Sequence, residues 1–164
     1  MTTLVAFDLE TTGLNPKSDA IIEIGAIRFN ENRVEDEFSM LINPGRSIPN
    51  FITQLTNISN EMVRGAPNIH DVLGEFEAFV GDAPVIGHNV RFDLGFVQQY
   101  DLLKHNIAID TYELAAVMLP SAGRYKLSAL SQSLGIPLFN AHRALDDAKA
   151  TQGVFARLYE MAEN

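Results

Sequence analysis

The chain contains no cysteine, which excludes disulfides, thiol nucleophiles and cysteine-ligated zinc. It has no basic N-terminal region either: the opening MTTLVAFDLE carries an apolar run too short for a signal peptide or a membrane span. The expectation is a cytoplasmic protein with no membrane partner. Repeats, low-complexity tracts and linker-like stretches are missing as well. The most informative shortage is positive charge, since 12 Lys+Arg stand against 21 Asp+Glu for a formal net charge of −9. That sign is wrong for gripping nucleic acid by phosphate neutralisation alone. A bound polyanion would have to be held locally, by metal or by a small basic patch.

What is present is ordinary folding material. With 46% hydrophobic and 20% charged residues, positions 1–164 fit a single compact α/β domain with its own core. Leu4–Leu9, Ile21–Phe29 and Val34–Ile42 read as strands, the last two joined by the turn-rich Asn30-Glu31-Asn32, and together they predict a meander. Asn68–Val80 carries Ile69, Val72, Leu73, Phe76 and Phe79 at helical spacing; Pro84–Gly87 is a short strand and Arg91–Leu103 a further helix. Ile107–Asp110 is the expected last strand. Helices follow over Thr111–Met118, Leu127–Leu134 and Arg143–Ala162, with Pro120 and Gly135 as stop signals. Strands followed by alternating helices predict a mixed central sheet flanked by helices.

Four carboxylates break this pattern. Asp8 and Glu10 in LVAFDLETTGL are two apart on a strand, so they share a face, at the strand end where α/β sheets open their ligand crevices. A solvated strand end would account for a lone D-x-E. Aspartyl-phosphate phosphatases also use a strand-end aspartate, but they want a second Asp where this chain has Glu10. Thr11, Thr12 and Gly13 then read as a tight turn of backbone N–H groups facing phosphate.

Asp93 in GHNVRFDLGF precedes Phe96, Val97 and Tyr100 at i+3, i+4 and i+7, which places it on the apolar helix face. The helix macrodipole alone also favours an acid there, and Asn89 is the expected N-cap. In AHRALDDAKAT, Asp146 and Asp147 are separated by roughly 100° around a helix axis. Asp147 aligns with Ala144, Thr151, Val154 and Leu158, whereas Asp146 aligns with Ala150, Gly153 and Arg157. Asp147 therefore faces inward and Asp146 water. A backbone-bonded buried aspartate would explain Asp147 alone, but not why acids on other elements also aim inward. Like charges converge only where cations hold them.

Among the histidines, His70 reads as part of a polar helix face and His105 as a loop residue, both surface; His88 is intermediate, directly before Asn89. His142 differs, because it precedes the Asp147 helix and its ring is not fixed by a helical turn. A neutral imidazole there suits a general base near neutral pH.

FDLETTGL, GHNVRFD and HRALDDA, in that order, resemble the three motifs of the DnaQ-like, DEDDh-type 3′-to-5′ exonucleases. His142 stands five residues before Asp147, as the histidine branch requires, and Arg143 excludes the tyrosine branch. LTNI at 55–58 and KLSALSQSLGI at 126–136 resemble the family more weakly, so the resemblance runs from the first strand to the last helix. It implies a ribonuclease H-like fold and hydrolysis of the terminal phosphodiester at the 3′ end of single-stranded nucleic acid, releasing nucleoside 5′-monophosphates. It further implies two divalent metal ions, Mg²⁺ or Mn²⁺. Asp8 would bridge them, Glu10 and Asp147 would complete the nucleophile-side site, and Asp93 would hold the second ion largely through water. His142 would deprotonate the attacking water. Paired hard cations on oxygen ligands suit an in-line displacement. The resemblance also assigns substrate contacts to Thr11, Thr12, Gly13, Leu14, Leu55, Ile58, Asn89 and Phe92, the apolar ones stacking or wedging the terminal base without reading it.

Since the chain stops soon after the final helix, the expectation is that it lacks the C-terminal tail by which a replicative proofreading subunit of this family joins its polymerase. The expectation is thus either a free-standing enzyme or an exonuclease module of a polymerase or helicase polypeptide, and the acidic surface favours the module. Gly123-Arg124-Tyr125-Lys126 is the best local basic and aromatic candidate for strand contact, with a solvated loop capping the next helix as the equal alternative. A non-catalytic binding module on the same fold is the competing class; such modules usually lose a ligand, and none is lost here. DNA and RNA both stay open as substrates.

Overall fold

The computed structural model describes residues 2–31 and 33–164. Among them, five strands form one sheet: β1 (Leu4–Thr11), β2 (Ile21–Asn30), β3 (Arg33–Leu41), β4 (Val85–Gly87) and β5 (Ala108–Asp110), in the order β3-β2-β1-β4-β5. The helices are α1 (Asn50–Thr56), α2 (Asn60–Arg64), α3 (Ile69–Val80), α4 (Val90–Val97), α5 (Thr111–Met118), α6 (Leu127–Leu134) and α7 (Ala144–Glu163). The first three strands are antiparallel, the predicted meander, and β4 and β5 then add parallel to β1. This is a mixed α/β sheet flanked by helices, the ribonuclease H-like arrangement. Asn32, part of the predicted turn between β2 and β3, lies outside the described residues.

Burial follows the strand positions. β2, apolar almost throughout, is buried from Ile21 to Ile27, while β3 exposes most of RVEDEFSML at the sheet edge. Charges on an edge strand discourage pairing with another chain. One sheet face buries Val5, Phe7, Leu9, Ile24 and Ala26 against Val72, Phe76 and Val80 of α3 and Val90, Phe96 and Val97 of α4. Its rings interlock, with Phe7 and Phe38 lying 6.1 and 5.5 Å from Phe76. Each such fully buried side chain contributes about 1.5–3 kcal/mol. The other face packs Ala6, Ile27, Phe29 and Ile86 against Ala148 of α7. Ala144, Asp147, Thr151, Val154 and Leu158 are buried along α7 as the helical spacing predicts, but Ala148 and Ala150 are buried with them, so the face expected to meet water beside Asp146 is covered at Ala150.

Two expectations are corrected. The single helix expected over Arg91–Leu103 stops at Val97 and passes into a short 3₁₀ turn, Gln98–Tyr100. Asp101 and Leu103 then adopt left-handed backbones, with φ of 63° and 56°, and this reversal buries Leu102 and Leu103 in the core. Secondly, α1 and α2 occupy a stretch where no helix was expected. They are too short to persist alone and are held by packing: Ile52, Ile58 and Val63 bury against Ile22 and Ile48. Among the described residues, no helix is long and apolar enough to cross a membrane.

Candidate active site

The site is made at the carboxyl end of β1. The strand runs two residues past Leu9, so Asp8 lies opposite Gly25 and Glu10 opposite Glu23 in the β1–β2 ladder. On its other side, β4 pairs only with Val5 and Ala6. Beyond the end of β4 the Leu9 amide faces α4 instead of a strand, and it donates to Asp93 Oδ1 at 3.0 Å. The splitting of β1 from β4 thus leaves the opening that a helix carboxylate fills.

Asp93 is placed by the start of α4. Asn89 stands at the N-cap, but its backbone is left-handed (φ 65°) and its side chain makes no capping bond. Asp110, at the end of β5, caps instead. It accepts from the N–H groups of Asn89 (2.9 Å), Val90 (3.2 Å) and Tyr112 (2.9 Å), fixing the starts of α4 and α5 together.

The third wall is the first turn of α7. Glu23, only 2% exposed, accepts from Arg143 Nε (3.1 Å to both oxygens), Arg143 Nη2 (2.7 Å) and the Ala144 N–H (2.7 Å). Close approach of helix and strand depends on Gly25, where a Cβ would sit 2.2 Å from both the Ala144 carbonyl carbon and the Leu145 nitrogen. This packing brings Asp8, Glu10 and Asp147 together, one oxygen from each lying within 4.8 Å of the others. Asp93 stands beside this trio. Asp146 is half-buried, unlike the inward Asp147.

Electrostatically, the cluster is under strain. Burial, reinforced by Asp93, Glu10 and Asp147, holds the Asp8 carboxyl well above the usual carboxylate range. Burial with the neighbouring Asp147 pushes Glu10 up to about 9, burial pushes Asp93 up to about 8 despite the Leu9 amide, and burial pushes Asp147 up to about 7 despite the His142 amide. Asp8 Oδ2 is buried with no hydrogen-bond partner among the described residues. Carboxylate oxygens gathered this way, with one orphaned acceptor among them, match the donor set of a hard divalent cation.

The remaining expected residues divide. His142 adopts a left-handed backbone (φ 65°), exposes its side chain and gives its N–H to both Asp147 oxygens. Leu14 is 83% exposed and Leu55 47%, Phe92 is half-buried, and Asn89 is exposed. Ile58 is fully buried among Ile22, Ile48, Ile52 and Val63, so its side chain has no surface to offer a ligand. The open phosphate-facing turn expected at Thr11-Thr12-Gly13 is not what forms. Thr11 belongs to β1, the Thr12 N–H donates to the Ala20 carbonyl at 2.8 Å, and the Thr12 hydroxyl accepts from the Ala20 N–H. A Cβ at Gly13 would meet the Asp19 carboxylate at 2.4 Å, so a side chain there would push Asp19 aside.

His70 and His105 are exposed, as expected. His88 is a structural pin that the sequence left undefined. Its Nε2 must donate to the Tyr125 carbonyl (2.6 Å), which can only accept, and its Nδ1 lies 2.8 Å from the Thr111 hydroxyl. Burial lowers its pKa, which favours the neutral ring. Glu23, Gly25 and Asp110 were also missed.

A mixed sheet that gathers carboxylates at its central strand end defines the ribonuclease H-like nuclease class. Residues 5–155 match the family described as Exonuclease (RNase_T), and the chain belongs to that family, among the DnaQ-like 3′-to-5′ exonucleases. It is 44% identical over 151 residues to the PolC-type DNA polymerase III of Clostridium perfringens, covering 90% of this chain and 10% of that protein. With the PolC-type enzyme of Latilactobacillus sakei the identity is 42% over 166 residues, covering 98% and 12%. The chain therefore spans about a tenth of the length of these curated relatives. Among solved structures, exonuclease X in complex with 5′ overhanging duplex DNA superposes with a TM-score of 0.81 at 25% identity, over 98% of this chain and 93% of that one. The zinc-bound Escherichia coli exonuclease I–ssDNA complex shares the fold, with a TM-score of 0.82 at 22% identity over 99% and 41%.

Proposed function

We propose that residues 1–164 form one exonuclease domain that removes nucleotides from the 3′ end of single-stranded DNA as nucleoside 5′-monophosphates, in proofreading or DNA processing. The observation that carries this reading is the convergence of Asp8, Glu10 and Asp147 within 4.8 Å, with a buried Asp8 oxygen left unpartnered. Together with Asp93, these residues would hold two divalent cations, Mg²⁺ or Mn²⁺. Such a pair, when bound, supplies charge stabilisation to the attacking and leaving oxygens of an in-line displacement. His142, exposed beside the cluster, takes the proton of the attacking water. The water oxygen forms a bond to phosphorus and the bond from phosphorus to the preceding 3′ oxygen breaks, its electron pair going to that oxygen, which takes up a proton from solvent to leave as a hydroxyl while His142 returns its own proton to solvent.

Leu14, Leu55 and Phe92 supply apolar surface for stacking or wedging the terminal base, and Asn89, close to Phe92 in sequence, presents a polar side chain. Arg124 and Lys126 are exposed on the loop that His88 pins through Tyr125, and they offer positive charge to the strand backbone that the acidic molecule otherwise lacks. The likeness to PolC-type polymerases supports a polymerase polypeptide as the partner, and the cytoplasm as the setting. An intact ligand set argues against a merely binding role.

The test is release of mononucleotides from 3′-labelled DNA and RNA oligomers with Mg²⁺ or Mn²⁺. DNA cleavage that stops in excess chelator is the expected result, and Asp8→Ala should abolish release while leaving the circular dichroism spectrum unchanged. Undiminished cleavage in chelator would overturn the reading.

A further inference from the structure

Glu23 is a fifth carboxylate next to the acidic cluster, directly across from Glu10 in the β1–β2 ladder. It is as buried as Asp93, yet it is not one of the converging trio. Its two oxygens are already occupied by three donors, Arg143 Nε, Arg143 Nη2 and the Ala144 N–H. Such a bidentate guanidinium fork fixes direction as well as charge. The residues it holds are informative. Ala144 opens α7, and the Arg143 carbonyl accepts from the Asp147 N–H at 2.9 Å. His142, bonded through its own N–H to the Asp147 carboxylate, immediately precedes Arg143. Glu23 is thus the strand-side anchor of the one turn that carries both Asp147 and His142.

We propose that Glu23, acting through Arg143, is a positioning residue of the exonuclease centre: it sets where Asp147 and His142 stand relative to Asp8 and Glu10. Arg143 has a second effect, since by saturating Glu23 it keeps this carboxylate from joining the cation site. Displacements on the order of 1 Å cost about 10²-fold in rate when reacting groups must be aligned. The inference rests on the exonuclease reading above.

The experiment compares wild type with E23Q, R143A, R143K and the neutral pair E23Q/R143Q. E23Q keeps an oxygen for the Ala144 amide, and the neutral pair avoids leaving one buried charge unpaired. Three quantities are measured: Mn²⁺ binding by calorimetry, kcat and KM on a deoxythymidine oligomer, and melting temperature in chelator. E23Q and R143A should each weaken Mn²⁺ binding and lower kcat by about 10- to 100-fold, with KM little changed. R143K should recover part of the R143A loss, and the neutral pair should lose no more than the worse single variant. Folded variants with wild-type Mn²⁺ affinity and kcat, whatever their melting temperatures, would reduce the pair to a structural bond and overturn the proposal. So would R143A tightening Mn²⁺ binding while E23Q weakens it, because Glu23 would then be a ligand. A wild-type protein that neither binds Mn²⁺ nor cleaves would instead defeat the exonuclease reading itself.

Discussion

The backbone N–H of His142 donates to both carboxylate oxygens of Asp147, at 3.2 Å to each. Its left-handed backbone folds the turn back over the start of α7, so a proposed proton acceptor and a proposed metal ligand are tied into one unit. Changes at either residue should therefore be read against the geometry of the other.

The adjacent aspartates give the sharpest comparison. Asp147→Asn should lower kcat by about 10²-fold or more, on the scale of altered metal ligation, whereas Asp146→Asn should change it little. Only Asp147 lies within the converging trio. Steady-state kinetics of the two variants decide it, and equal losses would show that the helix phase does not select the functional acid.

For His142, removing the ring should separate chemistry from metal binding. His142→Ala should leave Mn²⁺ affinity close to wild type and reduce turnover roughly 10²-fold or more, the range of general-base catalysis. His142→Asn, which tolerates a left-handed backbone, controls for the cost of the φ of 65°. A fully active variant would place the base elsewhere.

Much of this centre was legible because a helix and a strand have fixed periods. Asp147 lay in register with Ala144, Thr151, Val154 and Leu158, and the same stripe is buried in α7. Asp8 and Glu10 shared a strand face for the same reason. Glu23 was not legible: inside IIEIGAIRFN it reads as a polar interruption, and its partner Arg143 is 120 residues away. Asp110 likewise resembled a strand-end acid, though it caps α4 from another element. Short helices such as α1 and α2 owe their existence to Ile52, Ile58 and Val63 finding a core, which local propensity does not record. That same packing is why Ile58, grouped with exposed Leu55 by its motif, turns out to be interior.

The raised carboxyl pKa values carry a stability consequence with a definite sign. Burial first, and neighbouring acids after it, push Glu10 to about 9 and Asp147 to about 7. A folded-state value above the unfolded one means the native protein binds the proton more tightly. The contribution is fully stabilising below the unfolded carboxyl pKa of about 4, and it is lost as pH rises through about 7 to 9. In chelator the protein should thus melt lower at alkaline than at mildly acidic pH. Asp147→Asn should melt above wild type in alkaline chelator, by about 2–4 °C for each kcal/mol relieved. Added Mn²⁺ should stabilise wild type more than the variant. Should the variant melt lower in chelator, the His142 amide bond outweighs repulsion within the cluster.

Gly25 offers a purely steric prediction. A methyl group at this position would meet backbone atoms of Ala144 and Leu145 at 2.2 Å, and backbone cannot rotate aside as a side chain can. Gly25→Ala should lower the melting temperature by several degrees and reduce kcat, corresponding to overpacking of about 1–3 kcal/mol. Gly74 in α3 is the matched control, since a Cβ there meets nothing within 4 Å. Gly74→Ala should stabilise by about 0.5–1 kcal/mol through helix propensity. Thermal melts and single-turnover rates of both variants check the contrast.

Because α7 closes one sheet face and also carries Asp147, the order of synthesis bears on when the centre can exist. A nascent chain that has cleared the ribosome only as far as Gly135 can form its meander, but Ala6, Ile27, Phe29 and Ile86 still lack the helix that covers them. Contacts between β1 and α7 join segments far apart in sequence, and closures of that span come late and slowly. Until then the bare apolar face is a target for chaperones or for aggregation. The trio of Asp8, Glu10 and Asp147 should consequently assemble only when α7 docks, in one step with the covering of this face.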